Sequence, residues 1–262
     1  MQIDLKGKKV LVTAATYGLG LACAEAFAME GADLFVCSRD EARVDSTIAS
    51  LSKNGASSVS GTRADLTSGT DLDTLIRVAN ERLGYVDVLV LNTGHPPTRP
   101  LLSATDEEWQ HGIDLILKPA IKLTKALLPA MRQRGFGRLI YMGSVFGLQP
   151  EPSSIIQSTL RTGLNAFAKC VAAEGAADGV TANVICPGYF LTPLTDSLAG
   201  QYAEEAGVSR AQILEQWRDI APAKRFGEVG DLAALVTFLA SSRGAFINGT
   251  ALTIDGGFLR QY

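Results

Sequence analysis

The feature that most restricts what this chain can fold into is a regular alternation. Short apolar runs rich in β-formers are each followed by a longer stretch with helical periodicity. Residues 9–14 (KVLVTA), 33–37 (DLFVC), 58–64, 86–91 (VDVLVL), 138–142 (RLIYM), 181–186 and 250–254 read as strands. Residues 19–30, 41–53, 72–83, 106–134, 154–177 and 232–241 read as helices, with Pro119 marking a kink, and residues 192–219 as an inserted helical segment. Such alternation is the signature of repeated βαβ units and a parallel sheet. The run 86–91 is apolar nearly throughout, as expected of a strand buried on both faces. The weakest pattern is the third strand. No internal repeat, linker or low-complexity segment interrupts the series, so the 262 residues are expected to form one α/β domain, and 47% apolar residues supply its core.

The charge pattern excludes several functions. The net charge is −3, with acids and bases interleaved, which gives no support for nucleic acid or an anionic membrane as partner. No apolar run approaches the length of a membrane span, and residues 1–5 lack the blocks of a signal peptide. Cys23, Cys37, Cys170 and Cys186 lie far apart, each inside a predicted element, and read as buried free thiols of a cytoplasmic protein. His95 and His111 are the only histidines, and no cluster has metal-ligand spacing.

Directly after the first strand comes TAATYGLG (residues 13–20), leading into a helix. Glycines there let backbone amides approach a pyrophosphate, and the helix N-terminus adds partial positive charge. Further motifs follow in order: Asp65-Leu66 after the third strand, Asn92-Thr93-Gly94 after the fourth, and Gly143-Ser144 ending the fifth. Then come residues 183–188 (NVICPG) with Thr192, and Asp255-Gly256-Gly257. On this set the chain resembles the short-chain dehydrogenase/reductase family over nearly its full length, and in particular its 3-oxoacyl-carrier-protein reductase-like members. The resemblance implies a Rossmann-type, doubly wound, parallel seven-stranded sheet.

It also implies a dinucleotide site. Thr13, Ala15, Tyr17, Gly18, Leu19 and Gly20 form the candidate phosphate loop. Asp65 and Leu66 would flank the adenine, Asn92 and Gly94 the middle of the cofactor, and Pro187, Gly188 and Thr192 the nicotinamide. The second strand ends Cys37-Ser38-Arg39, with arginine where an acid would bind the ribose of NAD. NADP(H) is the preferred cofactor, with NAD(H) open, because Tyr17 stands where many NADP-using relatives carry a basic residue and Arg39 reads equally well as a solvated loop charge. Ala14 replaces the first glycine of the motif, which costs little if its φ is negative.

The catalytic positions depart from the family's Asn-Ser-Tyr-Lys set. Ser144 matches the serine. The tyrosine position is Gln157, the lysine position Arg161 and the asparagine position Ile116. An amide does not titrate near neutral pH, so Gln157 is no general acid. Arg161 would bind ribose hydroxyls without relaying a proton. At i and i+4 on one helix, the two would still meet. Tyr189, beside Pro187-Gly188, and His95, after the Asn92–Gly94 turn, are candidate acid/bases, with a pocket-wall tyrosine and an exposed loop histidine as the alternatives. Tyr141 reads as core.

Three functions follow from this pattern. The first is an atypical NAD(P)(H)-dependent oxidoreductase acting on a carbonyl or hydroxyl of a medium-sized, partly apolar substrate, with the proton from water, Tyr189 or His95. The second is a catalytically degenerate dinucleotide sensor or partner subunit. The third is a non-redox lyase resembling halohydrin dehalogenases, which carry arginine at the place of Arg161. Residues 192–219 would form the substrate lid, with Leu194, Leu198, Tyr202, Ile213, Leu214 and Trp217 as its apolar side chains. By resemblance a homo-oligomer, dimer or tetramer, is expected, with Trp109 and residues 127–131 packing between subunits.

Overall fold

In the computed structural model, which describes residues 3–260, the alternation resolves into one sheet with helices on both faces; Met1 and Gln2 of the N-terminal segment read above lie outside the described residues. The elements run β1 (Lys9–Val12), α1 (Gly18–Met29), β2 (Asp33–Ser38), α2 (Glu41–Lys53), β3 (Ser58–Arg63), α3 (Gly69–Leu83) and β4 (Val88–Leu91). They continue with α4 (Asp106–Arg134), β5 (Gly137–Met142), α5 (Ile155–Gly175), β6 (Val180–Pro187), α6 (Pro193–Ala206), α7 (Arg210–Ile220), α8 (Val229–Ala240) and β7 (Ala251–Ile254).

All strand pairs are parallel, in the order β3-β2-β1-β4-β5-β6-β7. The chain winds outward from β1 in one direction, then returns to β4 and winds outward in the other. β1 and β4 are paired in register from Val10 opposite Val88. Ligands bind at such a reversal of strand order, outside the carboxyl ends of the strands.

Successive strand residues point to opposite faces, so each strand feeds two cores. Leu11, Leu89, Leu91, Leu139 and Tyr141 pack with α3, α4 and α5. Val10, Val12, Val88, Val90, Ile140 and Met142 pack with α1 and α8. Both faces are covered, which is why β4 reads as an unbroken apolar run. β3 lies at the sheet edge and its side chains are half-buried or exposed, which is the physical reason for its weak sequence pattern.

Helix starts follow local chemistry. Asp40, Ser68 and Thr192 each accept a backbone amide as N-cap of α2, α3 and α6, and Thr105 with Glu108 forms a capping box on α4. The Ser68 cap places the start of α3 three residues before the expected one, and α4 runs through Pro119 and Pro129 as one helix.

Leu127, Leu128 and Met131 are buried in the chain's own core and Trp109 is half-buried against it, whereas Pro129 and Ala130 are exposed. One expectation is corrected. Of the four cysteines, Cys23, Cys37 and Cys186 are buried, but Cys170 is exposed on α5. An apolar-looking helix residue carries no label for the face on which it falls.

Candidate active site

Two bonds tie the ends of β1 and β4 together beneath the glycine loop. Thr13 Oγ1 donates to the Asn92 carbonyl at 2.6 Å, and Asn92 Nδ2 donates to the Ala14 carbonyl at 3.1 Å. Gly20 sits against this brace: a Cβ there would lie 2.3 Å from the Ala14 oxygen and 2.6 Å from Asn92 Nδ2. Only glycine permits that approach of α1 to the strands.

Ala14 itself has φ +46°, in the left-handed region. The condition under which alanine costs little, a negative φ, is therefore not met. The turn still demands what glycine supplies, and a Cβ in that region costs about 1–2 kcal/mol. Gly18 has φ +57° and lies against Thr192, bringing the start of α1 to the start of α6.

A cleft of about 670 Å³ opens at the carboxyl ends of the strands. It is lined by Tyr17, Gly18, Leu19, Ser38, Arg39, Asp65, Leu66, Asn92, Gly94, His95, Ser144, Gln157, Arg161, Pro187, Gly188, Tyr189 and Thr192, all expected from the sequence. Thr13, Ala15 and Gly20 are buried and do not line it. The Thr13 amide is spent on Val90 and the Ala15 amide on Cys37, so these residues shape the loop from beneath. Thr16, Arg43, Thr93, Thr98, His111 and Phe146 also line the cleft and went unread. Thr93 was within reach of the sequence reading, since it stands between two assigned residues.

At the far end, Ser144 follows β5 and caps a short 3-10 turn, its Oγ accepting the Phe146 amide at 3.2 Å. Gln157, in the first turn of α5, donates from Nε2 to the same oxygen at 2.9 Å. With two donors already directed at it, the Ser144 oxygen has its own proton free to donate onward. Ser144, Gln157 and Arg161 are 7%, 6% and 5% exposed. Ile116, at the asparagine position, is fully buried in the core and brings no polar group to the site.

Arg161, one turn beyond Gln157, bridges the ends of β4 and β5. It donates to the Met142 carbonyl, to Thr93 Oγ1 at 3.0 Å and to the Gly94 carbonyl at 3.4 Å. Burial lowers its pKa to about 10, still well above neutral. The guanidinium is thus a fixed cation that organises two strand ends.

The two candidate acid/bases are displaced from neutrality in opposite directions. His95 is half-buried, not the exposed loop histidine of the alternative reading. Its Nδ1 lies 2.6 Å from the Pro96 carbonyl, and burial, with Arg161 nearby, lowers its pKa to about 4. Tyr189 stacks on Trp217 with ring centroids 5.4 Å apart and meets Phe258 edge-on. Burial, then Tyr202 and Glu151, raise its pKa to about 12. At neutral pH the first is therefore held as the neutral imidazole and the second as the neutral phenol.

The lid segment is two helices, α6 and α7. Leu194, Leu198, Tyr202 and Trp217 face the cleft, whereas Ile213 and Leu214 pack with Ala199 and Ala203 inside the lid.

The cleft residues fit a dinucleotide. Thr16 Oγ1 at the loop, and Gln157 Oε1 and Arg161 Nε at the far end, are buried without a hydrogen-bond partner. Buried polar atoms are rarely left so, and these three residues all line the cleft.

Comparison with known proteins agrees with this geometry. Residues 13–259 match the family model described as enoyl-(acyl carrier protein) reductase. The chain is 33% identical to the 3-oxoacyl-[acyl-carrier-protein] reductase FabG of Haemophilus influenzae, over 97% of this chain and 98% of that protein. It is 32% identical to a D-beta-hydroxybutyrate dehydrogenase of Cupriavidus necator, over 98% and 100% of the two. The solved structure of L-sorbose reductase from Gluconobacter frateurii, complexed with NADPH and L-sorbose, superposes with a TM-score of 0.95 at 31% identity, covering all of both chains. The chain belongs to the short-chain dehydrogenase/reductase family of oxidoreductases.

Proposed function

We propose that the protein is an NADP(H)-dependent oxidoreductase acting on a carbonyl or hydroxyl group of a medium-sized, partly apolar substrate, with a Ser-Gln-Arg site in place of Ser-Tyr-Lys. One observation carries this reading: Gln157 and the Phe146 amide both donate to Ser144 Oγ, which leaves the serine proton free for an acceptor in the cleft that Ser144 lines and that also fits a dinucleotide. Such a preorganised donor stabilises the alkoxide that develops on a carbonyl oxygen, without a titrating tyrosine.

Thr16, Tyr17, Gly18 and Leu19 would hold the pyrophosphate, Arg39 the adenosine 2′-phosphate, and Asp65 and Leu66 the adenine. Asn92 and Gly94 would line the middle of the cofactor. Arg161, Pro187, Gly188 and Thr192 would hold the nicotinamide half. When bound, the cofactor supplies the hydride. The NADPH in the sorbose reductase complex favours NADP(H) over NAD(H). The proton would come from water, Tyr189 or His95, the two side chains both lining the cleft. The apolar side chains Leu194 and Leu198 with Tyr202, Tyr189 and Trp217 suit a substrate with apolar surface.

A second reading, a dinucleotide sensor or inactive partner subunit, is favoured by the replacement of the titrating tyrosine and lysine by Gln157 and Arg161, and of the asparagine by Ile116. The discriminating experiment follows NADPH consumption against a panel of ketones and oxoesters, for the parent and for Gln157→Tyr combined with Arg161→Lys. The proposed function predicts turnover by the parent that falls in the double variant. Turnover that arises only in the double variant would establish the second reading. The lyase reading is disfavoured, because Gly18 and Gly20 keep the loop open for phosphate.

No helix among the described residues is long and apolar enough to cross a membrane. Three buried free thiols suit a reducing cytoplasm. Ile113, Leu117 and Ile121 form an i, i+4, i+8 stripe on α4, with Ile113 and Ile121 exposed, which supports assembly into a dimer or tetramer.

A further inference from the structure

At the substrate end of the cleft, five aromatic rings touch one another in a continuous series. Tyr202 of α6 meets Trp217 of α7 edge-on at 5.5 Å, and Trp217 stacks on Tyr189 with 24° between the planes. Tyr189 meets Phe258 edge-on at 6.0 Å, and Phe258 meets Phe146 in the same way at 6.3 Å. The rings come from stretches of chain distant in sequence: the turn after β5, the segment after β6, the lid helices and the segment after β7. Phe146, Tyr189, Tyr202 and Trp217 line the cleft, and Phe258 braces them without lining it.

The series begins beside the reacting group. Phe146 stands in the turn that Ser144 caps, and its amide donates to Ser144 Oγ. A carbonyl held by Ser144 would therefore carry its substituent next to the rings. Burial raises the pKa of both Tyr189 and Tyr202, so their rings remain neutral phenols and the surface is uncharged. Rings fixed by ring–ring contact present a flat, preorganised apolar face. A flexible alkyl chain loses rotamer freedom when it settles on such a face, and a planar ring loses almost none. The planar ring also adds stacked or edge-on contacts, worth about two- to tenfold in affinity for each pair.

We infer that the substrate is a ketone carrying a planar aromatic ring, and that Trp217, which joins the lid tyrosine to the wall tyrosine, is the specificity-determining residue that selects it. The inference rests on the oxidoreductase reading above for the reacting group, and adds the chemical class of the group beside it. In the reduction, the carbonyl carbon gains a hydride from NADPH and its π pair moves to oxygen. That oxygen gains a proton, giving a secondary alcohol and NADP+.

The test follows NADPH consumption with benzylacetone and with methyl octyl ketone, two methyl ketones of equal carbon number whose carbonyls are not conjugated. The parent should favour benzylacetone in kcat/KM by about fivefold or more. Trp217→Leu should erase most of that preference, and Trp217→Phe should restore it. Phe146→Leu, outside the lid, should lower the ratio in the same direction, so a lid that repacks around leucine does not decide the outcome. Tryptophan fluorescence gives a reading independent of turnover: benzylacetone should quench it saturably in the parent, and the quenching should disappear in Trp217→Phe. Equal kcat/KM for the two ketones in the parent, or a preference that survives both leucine variants, would overturn the inference while leaving the oxidoreductase reading intact. Saturable quenching without NADPH consumption would support the aromatic site and count against the oxidoreductase reading. Absence of both would overturn the inference.

Discussion

The two ends of the cleft carry positive charge in opposite ways. At the β2 end, Arg39 and Arg43 are exposed, the first without an ion-pair partner among the described residues and the second resting on Tyr17 and Asp40. At the β5 end, Arg161 is buried, ligated to two backbone carbonyls and a threonine, and without a carboxylate in ion-pair range among the described residues. An exposed arginine is free to pair with an arriving anion and is screened by salt until it does. A buried one is fixed before any ligand comes, and removing its neighbours leaves an uncompensated charge. The first end is built for recognition and tolerates change. The second is built for preorganisation, and every group in it restrains another.

That contrast ranks the effects of substitution. The largest is expected at the buried end: Ser144→Ala should lower turnover about 100-fold or more, as loss of one oxyanion-stabilising donor does elsewhere. NADPH affinity should be unchanged, since the lost group faces the reacting carbonyl. Steady-state kinetics with a coenzyme titration check both, and a fall in affinity without a fall in turnover would erase the division between the two ends.

A smaller effect is expected at the loop that joins them. Ala14→Gly relieves a Cβ held at φ +46° and should raise stability by about 1 kcal/mol, or roughly 2–4 °C in melting temperature for a chain of this size. An unchanged melting temperature would show that the surrounding turn has absorbed the alanine.

The smallest concerns His95. Its folded pKa, about 4, lies below the ordinary histidine value of 6.5. Between these values the unfolded chain binds the extra proton, so the contribution of neutral His95 to stability is complete above pH 6.5 and is lost as pH falls towards 4. His95→Gln should flatten that part of the stability profile measured by denaturant unfolding. An identical profile would mean that His95 binds its proton alike in the folded and unfolded chain.

The fold was legible because its determinants are local. Strand residues buried on both faces read as apolar runs, and β3 read weakly because it lies at the edge. The doubly wound parallel sheet followed from the family resemblance that the motifs carry. At the site, Ser144, Gln157 and Arg161 were legible through their spacing from β5 and from one another, which the structure turns into a 2.9 Å contact and a bridge between two strand ends. What escaped depends on separations that spacing does not encode. Arg43 reaches Tyr17 only because α2 folds back beside the loop before α1. Trp217 meets Tyr189 only because α7 returns over the cleft, which stacks the candidate acid on an indole ring. The conformation of Ala14 was not legible, because the residue type favours negative φ whereas the turn imposes the opposite.

The central claim is that this cleft holds a phosphorylated dinucleotide even though its catalytic residues have changed. It is tested most directly by calorimetric titration of the parent protein with NADPH and with NADH in low-salt buffer. The account predicts saturable binding of one NADPH per chain, tighter than NADH. Absence of binding by both, in protein that melts cooperatively, would contradict it.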